Sequence, residues 1–413
     1  MSHLPVSVII VSRGRPAALI RCLAGLSQQF YPSFEVIVVA DPPGVAAVEL
    51  GPYATSVKLV KFDQPNISKA RNLGIAHAAG DIIAFIDDDA VPEPTWLGHL
   101  STPFLSDAEV GAAGGFVRGR NGISFQWKAR CFAQTGKTTD LNLQGTQPVV
   151  LHPTPERAIK TEGTNMALRR DVIASMGGFD PAYRYYLDET DVNMRLARNG
   201  VATAIVPLAE VHHGYHANSI RNSNRAPRDL FEIGASLAVF LRKHCPEQEH
   251  AQVWKSFQAD QRKRALEFMV AGDLEPRDVR RLMSRLREGY KDGRMRDLES
   301  LPPISRSAEG LLPFGAHPDP QPVQLSGRFW SRRRLREEAR SLVEAGKVVS
   351  LFLFSPTSLY HRVTFTSAGF WEQTGGIFGR SDRNQPLFRL TSFARRLRAE
   401  KLRVADQRRL FDE

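Results

Sequence analysis

The chain has 413 residues, of which 42% are hydrophobic and 24% are charged, and its formal net charge is +11. This length exceeds that of one ordinary domain, and the composition is typical of a globular protein rather than a disordered one. The positive charge predicts an acidic partner: a phosphorylated substrate, nucleic acid or an anionic membrane surface.

Cysteine usage and hydropathy exclude further classes of protein. The three cysteines, Cys22, Cys131 and Cys245, form no C-x-x-C pair, which argues against a zinc site or a disulfide framework and favours a reducing compartment. No window reaches the roughly 18 uninterrupted apolar residues that a membrane-spanning helix needs, and no secretory signal is recognised. We therefore expect a cytoplasmic protein that is soluble or peripheral to a membrane.

Apolar runs and helical spacing alternate through the first 90 residues. The apolar runs predict buried strands, and the spaced segments predict helices. In chain order these are a strand at Val6–Val11, a helix at Arg15–Gln29, strands at Phe34–Ala40 and Val57–Phe62, a helix at Ile67–Ala79 and a strand at Asp81–Ile86. Such alternation favours an α/β fold with a doubly wound, mostly parallel sheet.

Signals in the rest of the chain are less regular. They predict a strand or close turn at Val110–Val117, helices at Thr164–Met176, Glu189–Asn199 and Leu230–His244, and strands at Val201–Val206 and Val348–Phe354. Composition predicts a first domain over residues 1–225 and a charged helical extension over 226–300. A proline-rich linker over 301–327 and a basic accessory region of unknown role over 328–413 would follow.

Three carboxylates, Asp87, Asp88 and Asp89, come directly after the strand at Asp81–Ile86. Ligands of open α/β sheets bind beyond the carboxyl ends of the strands, so this position favours a ligand site. Adjacent carboxylates repel one another, and a divalent cation bound by oxygen ligands would offset that repulsion. A cation there would in turn attract a phosphate-bearing substrate.

Two further strand ends would meet the same edge if the strands are parallel neighbours. Ser12 and Arg13 follow the first strand, and Asp41 follows the second. Asp41 could accept a hydrogen bond from a base or a ribose hydroxyl. Alternatively, it could simply start the turn that Pro42 and Pro43 favour.

Arg71 lies in the predicted helix at Ile67–Ala79, which Asn66 or Ser68 can cap. The amides of a helix N-terminus favour an anion, and an arginine can hold a phosphate through two hydrogen bonds. Taken by itself, this segment is better explained as an ordinary solvated helix start.

Acidic residues begin another predicted helix at Asp188, Glu189 and Asp191, and residues 212–216 include three histidines. The helix dipole accounts for carboxylates at a helix N-terminus. A functional interpretation makes one of them a general base that takes a proton from a hydroxyl. An imidazole can complete a divalent metal site, or it can be an ordinary surface or core residue.

In order and spacing, these motifs resemble the family 2 glycosyltransferases of the GT-A fold over about residues 1–245. The resemblance is carried by Val6–Arg13, Asp41, Ser68–Ile75, Asp81–Asp89, Gly163–Arg170, Gly177–Asp180, Asp188–Leu196 and the histidines. It implies that residues 1–225 form a GT-A nucleotide-binding domain with a mostly parallel central sheet. The helical and mixed C-terminal extension lies outside the resemblance.

The resemblance also implies a metal site and a donor site. Asp89 would bind Mg²⁺ or Mn²⁺ directly, Asp87 would bind it through water or hold the donor ribose, and His213, or else His212, would be the third ligand. Asp41 would contact the nucleotide base and Arg71 the diphosphate. The residues expected to bind the nucleotide-diphosphate sugar are Ser12, Arg13, Asp41, Arg71, Asp87 and Asp88.

Two positions depart from the family's pattern. The family usually reads Glu-Asp-x-Asp, with the second residue as the base, whereas this chain reads Asp-Glu-Thr-Asp at 188–191. We therefore expect Glu189 to be the base, with Asp191 and then Asp188 as alternatives. Ala40 stands where many members have a further aspartate, which leaves recognition of the base to Asp41.

The expected activity is an inverting transfer of a hexosyl unit from a nucleotide-diphosphate sugar, with uridine diphosphate as the expected nucleotide. The acceptor hydroxyl would belong to a glycan, a lipid-linked carrier or a protein, in cell-surface glycan or polysaccharide synthesis. The alternatives are a pyrophosphorylase-like nucleotidyltransferase, a nucleic-acid-binding protein and a family member without catalysis.

Features of the sequence argue against each of these alternatives. The segment Ser12–Pro16 lacks the glycine-rich basic loop that a pyrophosphorylase needs, and the retained carboxylates argue against a member without catalysis. The arginine-rich tail lacks aromatic interleaving along the sequence, so no nucleic acid is expected. Its basic residues could instead contact anionic lipids at the inner face of the cell membrane.

Overall fold

The computed structural model of the protein describes residues 3–214, 222, 224–298, 300–315 and 320–411. The strands of the first domain are Val6–Ser12 (β1), Phe34–Ala40 (β2), Val57–Lys61 (β3), Ile82–Asp87 (β4), Ala90–Pro92 (β5), Val110–Arg118 (β6), Phe125–Trp127 (β7), Arg130–Ala133 (β8), Thr138–Asp140 (β9), Val149–Leu151 (β10), Arg157–Lys160 (β11), Met166–Arg169 (β12) and Ala202–His213 (β13). Its helices are Pro16–Leu26 (α1), Pro42–Glu49 (α2), Ile67–His77 (α3), Trp96–Ser106 (α4), Arg170–Ser175 (α5) and Asp188–Arg198 (α6).

The central sheet has the order β10-β13-β6-β12-β4-β1-β2-β3, with β5 paired to β13 and β7 paired to β6. β1 is parallel to β2 and to β4, and β2 is parallel to β3, so their carboxyl ends lie at one edge. β12 runs antiparallel between β4 and β6. The prediction of an α/β fold with a mostly parallel central sheet is confirmed.

Helices cover both faces of this sheet. α1 and α4 pack on one face through an apolar cluster that includes Leu23 and Trp96. α3, α5 and α6 pack on the other face through a second cluster that includes Ile75 and Val192. Because every residue of β2 is buried, the strand is apolar throughout except for Glu35, and its sequence does not alternate between apolar and polar residues.

The helix expected at Thr164–Met176 is wrong in its first half, because residues 166–169 form β12 and only the remainder is helical, as α5. Asn165 explains the difference. Its side chain donates to the carbonyl oxygens of Phe116 and Ala209 and accepts from the Trp96 indole. Tertiary pairing on both sides of β12 thus overrides the local helical preference. The strand expected at Val201–Val206 is also longer, since β13 continues to His213.

The C-terminal part contains a helical group followed by a second sheet. The helices are Phe231–His244 (α7), Glu247–Val270 (α8) and Pro276–Met295 (α9). The second sheet and its helices are Pro322–Arg328 (β14), a 3₁₀ turn at Phe329–Ser331, Arg332–Glu344 (α10), Val348–Ser355 (β15), Arg362–Phe365 (β16), Trp371–Gly376 (β17), Phe393–Arg403 (α11) and Ala405–Arg408 (α12). The sheet order is β14-β15-β17-β16.

The segment expected to be a linker, residues 301–327, is tied to the first domain. The Ile304 amide donates to the Ala174 carbonyl, and the Phe314 amide donates to the Phe34 carbonyl. Its last residues, from Pro322 onwards, already form β14. Among the described residues, no helix combines the length and the apolar character that crossing a bilayer requires.

Glycines allow α7 and α9 to approach each other closely. A Cβ atom at Gly289 would lie 1.8 Å from the Phe231 carbonyl oxygen, and one at Gly234 would lie 2.2 Å from the Leu286 carbonyl oxygen. Both neighbours are backbone atoms, so only a separation of the helices could make room.

We expect Gly289→Ala to lower the free energy of unfolding by about 1–3 kcal/mol, since overpacking forces the two helices apart. Gly98→Ala in α4 is the control, because a Cβ atom there meets nothing within 4 Å and alanine is the better helix former, by about 0.5–1 kcal/mol. Urea denaturation measures both. Equal or higher stability of Gly289→Ala would contradict the close helix contact.

Candidate functional site

Two carboxylates and one imidazole meet at the end of β4. Asp87 closes that strand, Asp89 lies in the turn to β5, and His213 on β13 pairs with Ala90 at the start of β5. His213 Nε2 lies 3.2 Å from Asp89 Oδ1 and 3.9 Å from Asp87 Oδ2. One ligand atom from each of the three residues lies within 4.8 Å of the others. Hard oxygen ligands with one imidazole suit Mg²⁺ or Mn²⁺.

The protonation of His213 reflects these neighbours. Burial by itself would lower the pKa of the imidazole, but the hydrogen bond to Asp89 and the charges of Asp89 and Asp87 outweigh it and raise the pKa. Without a cation, a proton on His213 would therefore compensate the two carboxylates. Cation binding would require that proton to leave, as is general for histidine ligands.

Asp88 points away from the other two carboxylates. Its side chain is buried, accepts a hydrogen bond from Ser12 Oγ at 2.7 Å and lies 2.5 Å from an Arg15 nitrogen. Burial raises the pKa of Asp88 to about 7, with the charge of Asp89 adding to the rise and that of Arg15 opposing it. The Ser12–Asp88 hydrogen bond thus joins the ends of β1 and β4, and Asp88 faces Ser12 and Arg15 rather than a ligand.

Arginines supply positive charge on both sides of the acidic turn. Arg15, just before α1, lies 3.3 Å from Asp89. Arg71 on α3 lies 3.5 Å from Asp87 and forms a buried ion pair with Asp188. Each arginine therefore reaches the carboxylates from a different helix, and an anionic ligand near Asp87 would meet both.

The carboxylates at the start of α6 do not all face the same way: Asp188 and Glu189 line a cavity, and Asp191 lies in the core. Asp188 and Glu189 line the same cavity as Asp87, Asp89 and His213. Glu189 retains 18% side-chain exposure and is held by Lys160 Nζ at 2.5 Å. Burial would raise the pKa of Glu189, but Lys160 outweighs burial and lowers it, so the side chain is ionised at neutral pH. Burial raises the pKa of Asp188 despite the opposing charge of Arg71.

Asp191 faces the other way. Its side chain is 0% exposed and lies 2.8 Å from Arg195, 2.6 Å from Lys243 and 2.8 Å from His244. Burial would raise the pKa of Asp191, but Arg195, His244 and Lys243 hold it well below its usual range. The structure therefore brings Asp188 and Glu189 to the cavity, and gives Asp191 a structural ion-pair network instead.

Two adjoining cavities surround the acidic turn. The first, of about 420 Å³, is lined by Arg71, Asp87, Asp89, Asp188, Glu189 and His213, together with Trp127, Lys160 and Glu162. The second, of about 810 Å³, is lined by Ser12, Arg13, Asp41, the apolar side chains of Val39 and Phe62, and Arg228. Arg15, Ile67, Asp87 and Tyr185 line both. A ligand could thus extend from one cavity to the other past Asp87.

Asp41 lines the second cavity but has backbone partners. Its carboxylate accepts from the Gly14 amide at 2.7 Å and from the Gly44 amide at 3.2 Å. It therefore caps α2, where the structural alternative expected only a turn, and it holds the loop after β1 while remaining at the cavity wall. Arg13 lies 3.2 Å from the exposed Asp63.

Sequence reasoning missed Lys160, Glu162, Arg15 and Trp127 as parts of the site. Lys160 closes β11, a short strand of a separate sheet of order β11-β8-β9, and no motif marks it. Arg15 was visible in the segment after β1, but its contact with Asp88 depends on how β1 and β4 pair. Only the tertiary fold brings these residues to the cavity.

His212 contacts a different group from His213. Its Nε2 lies 2.7 Å from Glu93, which together with Glu210 forms a second cluster of acidic groups and histidine. Two Arg408 nitrogens, from α12, lie 2.8 Å from Glu93, and Arg118 pairs with Glu210. Burial would raise the pKa of Glu93, but Arg408 holds it well below its usual range. Arginines already compensate this cluster, so it is structural.

We expect Arg408→Met to lower the free energy of unfolding by about 3–5 kcal/mol, because it leaves Glu93 buried without its arginine partner. The control is Arg398→Met on the exposed side of α11, for which surface substitution predicts a change within about 0.5 kcal/mol. Urea denaturation compares the two. Matching midpoints would contradict a buried ion pair between the C-terminal region and the first domain.

Residues 3–229 match the family model described as Glycosyltransferase like family 2. The chain belongs to this family. The match covers the sheet, the acidic turn, the first cavity and most of the second, so the resemblance stated from the motifs is confirmed. It ends before α7, and residues 230–413 lie outside it.

Curated relatives share the first domain at modest identity. Over 233 residues the chain is 27% identical to the probable glycosyltransferase YdaM of Bacillus subtilis, covering 51% of this chain and 50% of that protein. Over 251 residues it is 29% identical to the O-antigen biosynthesis protein RfbC of Myxococcus xanthus, covering 54% and 18%. The matched part thus spans half or less of these two relatives.

A solved mannosyltransferase, PcManGT from Pyrobaculum calidifontis in complex with GDP-mannose and Mn²⁺, aligns with a TM-score of 0.43 and 17% identity. The alignment covers 71% of this chain and 88% of that one.

Proposed function

We propose that the protein is an inverting, metal-dependent glycosyltransferase. It would move a hexosyl unit from a nucleotide-diphosphate sugar, with uridine diphosphate as the expected nucleotide, to an acceptor hydroxyl in cell-surface glycan or polysaccharide synthesis. The observation that carries the proposal is the meeting of Asp87, Asp89 and His213 in one cavity with Glu189. The family match favours this activity over a pyrophosphorylase-like nucleotidyltransferase.

The nucleotide would occupy the second cavity and the sugar the first. Val39 and Phe62 offer apolar contact to a base beside Asp41. The diphosphate would pass Asp87, where Arg15 and Arg71 supply positive charge from two helices. Asp89, Asp87 and His213 would hold the cation. When bound, Mg²⁺ or Mn²⁺ would stabilise negative charge on the departing diphosphate.

Glu189 would act as the general base. It is ionised, partly exposed and positioned by Lys160 and Thr190 at the wall of the first cavity. It would take the proton of the acceptor hydroxyl while that oxygen forms a bond to the anomeric carbon. The bond from that carbon to the diphosphate oxygen would break with its electron pair on the diphosphate. Attack from the face opposite the leaving group inverts the configuration.

A thermal-shift panel of nucleotide-diphosphate sugars, each with and without Mn²⁺, tests the donor and the cation together, since a ligand that binds only the native state stabilises it. We expect stabilisation that depends on Mn²⁺, and its loss in Asp89→Asn. Asp171→Asn, whose side chain is 89% exposed on α5, is the control and should respond like the parent protein. A Mn²⁺-dependent shift retained in Asp89→Asn would refute the metal assignment.

Replacing the base should affect turnover rather than donor binding. We expect Glu189→Gln to lower kcat by roughly 10²–10⁴-fold, the range of general-base catalysis, with the donor-induced thermal shift unchanged. Asp191→Asn should instead lower the melting temperature, because it disrupts the network with Arg195 and Lys243. If Asp191→Asn lost turnover at full stability while Glu189→Gln stayed active, the role of base would pass to Asp191.

A further inference from the structure

Three parallel strands of the second sheet end at one edge. Arg328 at the end of β14 pairs with Phe354 of β15, which in turn pairs with Gly375 of β17. The segments that follow these strands therefore emerge side by side. They lie outside the family match, and the proposed transfer reaction uses none of them.

Large apolar side chains are exposed in these segments. Of 14 exposed large apolar side chains in the described part of the chain, six follow these strand ends, with exposures of 48% to 79%. They are Phe329, Trp330, Leu359, Leu387, Phe388 and Leu390. We call these six residues, together with Arg328, Arg332 and Arg389, the edge patch.

Contacts connect three members of the edge patch to residues at or near the ends of β14 and β17. Arg328 lies over the rings of both Trp330 and Phe393, at 5.9 and 4.6 Å. The Phe388 ring lies 5.5 Å from that of Phe378, two residues beyond the end of β17. The Leu359 carbonyl accepts from the Gly376 amide at 2.9 Å. The exposed residues thus share one edge of the sheet rather than being scattered.

The region that contains the edge patch is basic overall. Residues 328–413 contain 18 Arg and Lys against 9 Asp and Glu, a net +9 of the chain's +11. Arg332 lies over the Phe329 ring at 4.2 Å, and Arg389 separates Phe388 from Leu390. Exposed apolar side chains among cations favour binding to a partner that has an anionic surface above an apolar interior.

We propose that the edge patch binds the surface of an anionic lipid bilayer, with its apolar side chains in the interfacial region and its arginines at the lipid phosphates. Since anionic lipids enrich the cytoplasmic leaflet, this contact would hold the protein peripherally at the inner face of the membrane. The proposal goes beyond the transferase activity and does not depend on it.

Two other occupants fit less well. Single-stranded nucleic acid stacks its bases on aromatic faces, but arginines already cover the Phe329 and Trp330 rings, and Leu359, Leu387 and Leu390 offer no face for stacking. A second copy of the chain would bring the same positive charge to the same place. A bilayer accepts aliphatic and aromatic side chains alike and supplies the opposite charge.

Sedimentation with vesicles tests the proposal directly. The full-length protein should bind vesicles that contain phosphatidylglycerol at least ten-fold more strongly than vesicles of phosphatidylcholine alone, and less strongly as salt rises. Trp330→Ser combined with Phe388→Ser should weaken binding to the anionic vesicles at least ten-fold. Arg389→Glu, which leaves the apolar side chains in place, should also weaken it.

The matched control combines Leu50→Ser with Val270→Ser, which removes two side chains that are 91% and 85% exposed but lie elsewhere. It should bind vesicles like the parent protein. Equal loss in this control, or no vesicle binding by the parent protein, would overturn the proposal. A parent protein that bound single-stranded DNA through the edge patch, or a dimer that the Trp330 and Phe388 substitutions dissociated, would overturn it in favour of those partners.

Discussion

Charge compensation around Asp87, Asp88 and Asp89 is the constraint on which the rest of the site depends. Three successive carboxylates at the end of a buried strand cannot all be ionised without nearby positive charge. The fold supplies it from three directions: Arg15 before α1, Arg71 on α3 and His213 on β13. A cation would join this arrangement rather than create it.

The C-terminal region contacts the strands that carry His213, on the side away from the first cavity. β5 and β13 pair through Ala90 and His213, and next to that pairing Glu93 contacts both His212 and Arg408. Trp371 of the second sheet packs against His212 at 4.7 Å between ring centroids. The segment that carries a metal-ligand candidate therefore lies between the first cavity and residues more than 150 positions away in the chain. This explains why the basic region is an integral part of the molecule rather than a flexible tail.

Much of the fold was predictable because strong local patterns coincide with burial. β1, β2 and β4 are mainly apolar, with Ser7 and Glu35 as the polar residues before the strand ends, and parallel pairing alone brings those ends together. α2 was missed because Pro42 and Pro43 were taken as a turn, although proline is favoured in the first turn of a helix. β12 was mistaken for helix because its strand character comes from neighbours on both sides.

The site residues that follow strand ends were predictable from the sequence. Those whose position depends on how strands pair, or on distant side chains, were not. His212 and His213 are equivalent in sequence, and the pairing of β13 with β5 decides which one meets Asp89. Likewise, nothing local tells Glu189 from Asp191, because the distinction comes from Lys160 on one side and from Lys243 and His244 on the other. The third histidine of that cluster, His216, lies outside the described residues.

The most direct test of the central claim is anomalous diffraction at the manganese edge from crystals grown with Mn²⁺ and uridine diphosphate. The account predicts an anomalous peak at bonding distance from Asp89 and His213, with the diphosphate beside Arg15 and Arg71. A peak at Glu93 and His212, or a nucleotide bound away from the acidic turn, would contradict it.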